Sequence, residues 1–418
     1  MSPSRRTLLS AAAAAGATAS LPLSGAAHAT PGAEREKTAR ARTAVRFRLD
    51  AEVLDGGEQI TSVTLATSRL GRIDPATLTT GTFTVHATAR SPLPIAEGDA
   101  IFSEYDLDRQ VTAARLDRHG DIVLELASGE GVAGASTLGY IASRGRNVRL
   151  DLTYTITQNT PLNRNLVIER FTQGRIASPE VDAFSYHESR SGMKYRLYAP
   201  AGSRGRRPLV VWLHGGGEGG SLPDYYDNET TLRANRGALG FATREAQRIF
   251  RGAYVVVPQS PSFWLEDGPR YAPQVEEIIR EVTRRHPIDR DRISVAGASN
   301  GGYMSLLMTT RYPDLFASSV PVCGVVTRGA TPLIADDELR AVTTPTWLVT
   351  SRDDTTVPPE PNTVHAANLI PGAFLTLYDE VVWNGYKFPG HWSWIYVARN
   401  DPTIDGTRIW QWMARQRT

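Results

Sequence analysis

One cysteine, Cys323, is all that this chain of 418 residues contains. A single thiol excludes an internal disulfide, so no part of the fold is stapled covalently. It lies in SSVPVCGVV, an apolar strand-like run, where a small core residue is expected rather than a nucleophile. An excess of one charge is also missing: 46 Lys and Arg against 44 Asp and Glu leave +2. That balance offers no electrostatic footprint for nucleic acid or for an anionic membrane. Beyond Leu23 no apolar run approaches the roughly 20 residues that span a bilayer, which argues against integral membrane association. There is no internal repeat, and so no propeller or solenoid.

The amino terminus reads as a targeting segment. SRRTLLS carries the pair Arg5 and Arg6, an Ala-rich apolar run follows, and Ala27-His28-Ala29 supplies small residues for cleavage. Residues 1–29 are therefore expected to be a signal peptide of the twin-arginine type, giving a secreted protein, extracellular or periplasmic. Residues 30–42, rich in charge, read as a polar linker.

The remaining chain changes period part-way. In VRFRLDAEV the residues Val45, Phe47, Leu49, Ala51 and Val53 alternate with charged ones. NVRLDLTYTITQ repeats the pattern through Val148, Leu150, Leu152, Tyr154 and Ile156. Strict alternation without a convincing helix predicts a small antiparallel β-sandwich over residues 43–166. Across residues 167–418 short apolar runs such as PLVVWL, AYVVV, ISVA, PTWLVT and FLTLY alternate with longer segments, among them an amphipathic helix over Ala272–His286. Buried strands with helical crossovers predict an α/β architecture with a mainly parallel, doubly wound sheet.

Within that half, GASNGG sets Ser299 between Gly297 and Gly301, after a strand-like run and before a helix-like one. A serine on such a turn stands clear of the sheet, and the helix start offers free N–H groups to an oxyanion. Serine hydrolysis also needs a base and a carboxylate to hold it. Of the eight histidines, His391 in FPGHWSW follows the last strand on a Gly-Pro-rich loop and is the expected base. His365 sits on a probable helix close behind the acid loop, and His286 ends a crossover helix. The carboxylate is expected from SRDDTTVPPE, where Asp353 and Asp354 follow a strand and one of the two must face inward. HGGGEGG after another strand lets backbone N–H groups approach a substrate oxygen. One oxyanion donor is expected from Gly216 or Gly217, the other from the N–H of Asn300. A phosphate cradle is disfavoured, because the Gly-rich loop has neither a Lys-Ser/Thr ending nor a GxGxxG helix start.

With these four motifs together, residues 167–418 resemble the α/β-hydrolases. They are most similar to the secreted esterases related to feruloyl esterases, polyhydroxyalkanoate depolymerases and prolyl-oligopeptidase-type hydrolases. HGGGEGG, VVPQSP, GASNGGYM, DDTTVP and GHWSW stand where that group carries its oxyanion loop, post-strand loop, nucleophile, acid and base. The group's D-x-x-V-P pattern implies Asp354 as the acid, although Ser351 replaces the usual glycine three positions earlier. The first half resembles the immunoglobulin-like domain that precedes the hydrolase in some bacterial members.

The expected function is thus that of an exported serine carboxylic-ester hydrolase with the triad Ser299, His391 and Asp354, working through an acyl-enzyme without cofactor or metal. A prolyl-oligopeptidase-type peptidase acting on amides is the alternative. The substrate is expected to be a small or polymeric ester. Trp264 and Trp392 are the expected aromatic contacts to it.

Overall fold

The computed structural model describes residues 43–202 and 205–418; the expected signal peptide and linker lie outside the described residues. Eleven strands occupy the first part: β1 (Ala44–Leu54), β2 (Gly57–Leu65), β3 (Phe83–Arg90), β4 (Ile101–Phe102), β5 (Tyr105–Arg109), β6 (Val111–Leu116), β7 (Ile122–Leu126), β8 (Leu138–Ile141), β9 (Arg146–Arg149), β10 (Asp151–Gln158) and β11 (Arg170–Ala177). They form a sheet ordered β11-β1-β2-β7-β6, a second ordered β10-β3-β5, and a small third ordered β4-β8-β9. The first two close over a core that includes Phe47, Leu49, Ile60, Val85, Leu124 and Tyr154. In β1 the alternation is realised as written, with Val45, Phe47, Leu49, Ala51 and Val53 buried.

Two expectations change here. NVRLDLTYTITQ is not one strand: β9 and β10 belong to different sheets. Period two reports which face is buried, not which neighbour a strand chooses. Further, β11 lies beyond residue 166 yet pairs in parallel with β1, so the first sheet draws its edge strand from the segment assigned to the second part.

An eight-stranded sheet follows, from β12 (Phe184–Glu188), β13 (Lys194–Tyr198), β14 (Arg207–Leu213), β15 (Tyr254–Pro258), β16 (Ile288–Ala298), β17 (Ser318–Val322), a two-residue hairpin of β18 (Thr327–Arg328) and β19 (Thr331–Pro332) set apart from it, β20 (Trp347–Ser351) and β21 (Phe374–Tyr378). Its order is β12-β13-β15-β14-β16-β17-β20-β21. β12, β13 and β15 pair antiparallel and the rest are parallel. Both faces are covered. Leu209, Val211 and Leu213 of β14 enter one apolar cluster with the helices Trp264–Arg285 and Asn300–Arg311, while Val210 and Trp212 enter another with Phe241 and Trp410. The first helix starts well before the expected Ala272 and carries Pro269 and Pro273 inside it.

The described residues belong to one compact unit. Buried polar contacts join the β-rich part to the large sheet's helices. Arg233 pairs with Glu58 and with Glu229, Arg399 grips Asp55 through two bonds of 3.0 and 2.8 Å, and Arg236 reaches the carbonyl of Val53. Among the described residues no helix is long and apolar enough to cross a membrane.

Candidate active site

Ser299 occupies the step from β16 to the helix Asn300–Arg311 with φ 56° and ψ −115°. A non-glycine residue at positive φ is strained, and the strain is held by crowding on both sides. A Cβ on Gly301 would lie 1.9 Å from the Leu213 carbonyl, and one on Gly297 would lie 2.5 Å from the Gly301 carbonyl. Only glycine fits at either place. The Ser299 N–H donates to the Val322 carbonyl at 2.8 Å, which ties the turn to β17.

Asp354 follows β20 and is buried. Its Oδ1 accepts from the N–H groups of Thr356 (2.9 Å) and Val357 (2.8 Å), leaving Oδ2 to meet His391 Nδ1 at 2.8 Å. Asp353 turns the other way and accepts from the Ser351 hydroxyl. Ser351, in the place of the group's glycine, therefore anchors the neighbouring aspartate. Arg352 pairs with Asp379 rather than with Asp353. His391 sits on the single turn Gly390–Trp392, with the Trp394 ring edge-on at 5.6 Å. Cys323, which has φ 41°, places its sulfur within 4.8 Å of ligand atoms of both His391 and Asp354. Burial works against the imidazolium, but Cys323 and Asp354 outweigh it and raise the His391 pKa above the ordinary 6.5. A core role for Cys323 thus omits its contact with the expected base. His365 is far from this arrangement in chemistry: it pairs with Asp336 at 2.8 Å.

Ser299, Asn300, Gly216, Gly217, His391 and Trp392 line one cavity of about 580 Å³. The Gly-rich loop is pinned by His214, whose Nδ1 donates to the Gly215 carbonyl (2.6 Å) while Nε2 accepts from the Ser260 N–H (3.0 Å). Burial lowers its pKa to about 3, so His214 stays neutral and structural. Glu218, also on the cavity, accepts from Asn235 Nδ2 at 2.9 Å through Oε1. Burial pushes its carboxyl up to about 7 against the pull of Arg146 and Asn235.

Trp264 is a correction. It is fully buried, stacked obliquely on His214 at 5.0 Å and edge-on to Tyr271, and does not reach the cavity. Its neighbour Phe263 lines the cavity instead. The reason is helical: Trp264 begins the long helix and turns its side chain into the core, whereas Phe263 is the extended residue before it. Trp392 does face the cavity and stacks with Trp394 at 5.7 Å.

Residues that the sequence left unremarked complete the wall. Tyr140 on β8 and Asn147 on β9 line the cavity, and Asn147 Nδ2 donates to the Gly217 carbonyl at 3.2 Å. Arg146 Nε donates to the Gly220 carbonyl at 3.0 Å. The small third sheet therefore forms one side of the site. Glu218 stood in plain view within HGGGEGG, but nothing local marks Asn147.

A family model described as the prolyl oligopeptidase family matches residues 262–334, a stretch that holds Ser299 and ends before Asp354 and His391. A solved structure of a thermostable esterase covers 89% of this chain and 99% of its own at a TM-score of 0.68, with 23% identity. This chain has an α/β-hydrolase fold. It is also 29% identical over 140 residues to poly(3-hydroxyalkanoate) depolymerase C of Paucimonas lemoignei, across 30% of this chain and 30% of the depolymerase. The match thus spans under a third of that relative's length.

Proposed function

We propose that this protein is an exported serine carboxylic-ester hydrolase. Ser299 Oγ attacks the ester carbonyl carbon as its proton passes to His391 Nε2, the nitrogen left free by the Asp354 contact. The oxyanion is held by the N–H of Asn300 and that of Gly216 or Gly217. Collapse breaks the C–O bond to the alcohol, which leaves with the proton from His391. Water then repeats the sequence on the acyl-enzyme and releases the acid.

The observation that carries this reading is the 2.8 Å contact of His391 Nδ1 with Asp354 Oδ2 beside the cavity that Ser299 lines. The likeness to a polyester depolymerase supports the ester bond. A single set of assays tests it: nitrophenyl esters of graded chain length, an insoluble polyester and peptide anilides, with fluorophosphonate labelling of wild type and Ser299→Ala. Turnover of the esters, and labelling lost in Ser299→Ala, is expected; labelling that survives in the variant sinks the mechanism.

A peptidase is the second reading, favoured by the prolyl oligopeptidase match. Anilides cleaved faster than esters would establish it. We read the β-rich first part as an immunoglobulin-like sandwich, and the Arg5–Arg6 pattern as its export signal. Amino-terminal sequencing of the exported protein tests the latter, with a start near residue 30 expected.

A further inference from the structure

Glu218 has a burial that the mechanism above leaves unused. It is 7% exposed and lines the same cavity as Ser299. Oε1 is occupied by Asn235, while Oε2 is buried with no hydrogen-bond partner. Oε2 lies 3.0 Å from where a Cβ on Gly215 would stand, and Ser299 Cβ lies 3.8 Å from that same point. The carboxyl is therefore folded under the Gly-rich loop, close to the nucleophile. Its backbone is fixed too: the Glu218 carbonyl accepts from Thr230 Oγ1 and Gln259 Nε2, each at 3.0 Å.

We propose that Glu218 is a positioning residue that sets the electrostatics of the oxyanion hole, supporting hydrolysis as a neutral acid and opposing it as a carboxylate. This rests on the ester-hydrolase reading. With Asn235 donating to Oε1, the proton of the neutral acid belongs on Oε2. Losing it places a negative charge beneath the loop whose N–H groups must hold a second negative charge in the transition state. The charged and titratable groups facing Glu218 are Arg146 from β9, neutral His214 from the end of β14, and His391 across the cavity. Arg146 does not ion-pair with it; that guanidinium is spent on the Gly220 carbonyl and the Phe263 ring. Burial leaves the carboxyl titrating at about 7, within the working range of an imidazole base.

Glu218→Gln keeps the shape and the acceptor while removing the titration. The experiment measures kcat/KM on a nitrophenyl ester from pH 5 to 10, together with melting temperature over the same range. In wild type an alkaline limb is expected above pH 7. In Glu218→Gln that limb disappears, so that relative to its own optimum the variant is about tenfold or more better at pH 9. The sign for stability is independent of activity. A carboxyl whose folded pKa is raised stabilises below its unfolded value and loses that contribution as pH rises through the folded one. The melting temperature of Glu218→Gln should therefore gain on wild type between pH 5 and 8. Superimposed rate profiles overturn the proposal even if the wild type is an active esterase. An inert, unlabelled wild type overturns the ester reading and this inference together, and the melting curves then report only whether the carboxyl is neutral.

Discussion

The Arg146 guanidinium lies 3.2 Å above the centre of the Phe263 ring. One residue comes from the small β4-β8-β9 sheet and the other from the loop after β15, so the contact spans the two parts of the chain at the edge of the cavity. Together with the bond to Gly220 it holds both loops that shape the oxyanion side. Arginine stacking and bidentate reach are not reproduced by lysine. Arg146→Lys and Asn147→Ala are each expected to lower kcat on a small soluble ester by about tenfold, a ~1.4 kcal/mol loss of positioning. Steady-state kinetics decides it: unchanged kcat in both variants would show that the β-rich part merely covers the site.

Deletion of the β-rich part should fail for a separate reason. Glu58 is completely buried, accepts from Thr137 Oγ1 at 2.7 Å and pairs with Arg233 across the junction. Removing Glu58 leaves the buried Arg233 with Glu229 as its remaining partner and takes the acceptor from Thr137, at a cost of about 1.5–3 kcal/mol. Glu58→Ala is expected to lose that much in urea unfolding, and a chain that starts at residue 167 to be insoluble, since β11 then loses its partner β1. A loss under about 1 kcal/mol for Glu58→Ala would mean that solvent reaches the pair.

How far these features could be read from sequence depends on the range of the interaction. The alternation in β1 and the glycines around Ser299 are local, and local sterics decide them. The start of the long helix is hidden by Pro269 and Pro273, which lie in its interior, where proline removes a backbone donor and reads as a breaker. Trp264 goes with it: as the first residue of that helix it turns into the core and away from the cavity. Asn147 meets Gly217 across 70 residues of chain, and no periodicity encodes that meeting. For the same reason Cys323 read as core: its burial is local, whereas its approach to His391 is made by the fold.

The acid limb of the rate profile follows from that approach. Only neutral imidazole accepts the serine proton, so the rate falls as pH drops through the His391 pKa. With that pKa raised by Cys323 and Asp354, the midpoint should lie above 6.5. The check is kcat/KM from pH 5 to 11; a midpoint at or below 6.5 contradicts the raised value.

The adjacent aspartates give the sharpest separation of roles. The two residues lie on the turn that follows β20, and their carboxylates have different partners. Asp354 holds His391 through Oδ2 and is itself held by two backbone N–H groups. Asp353 is half-buried, takes a bond from Ser351 and packs beside Gly390, where a Cβ would meet its carbonyl oxygen at 2.4 Å. Asp354→Asn preserves the shape but presents an amide to Nδ1, which favours the wrong imidazole tautomer. Losses of up to ~10⁴ in kcat accompany that change where an aspartate orients a catalytic histidine. Asp353→Asn keeps an acceptor for the Ser351 hydroxyl and should stay within a few-fold of wild type. Assaying both on one nitrophenyl ester, with melting curves to show that each is folded, distinguishes orientation from packing. The reverse ranking would assign the acid to Asp353, and two mild effects would remove the carboxylate from the mechanism, leaving His391 to be oriented by Cys323 and the Trp394 edge alone.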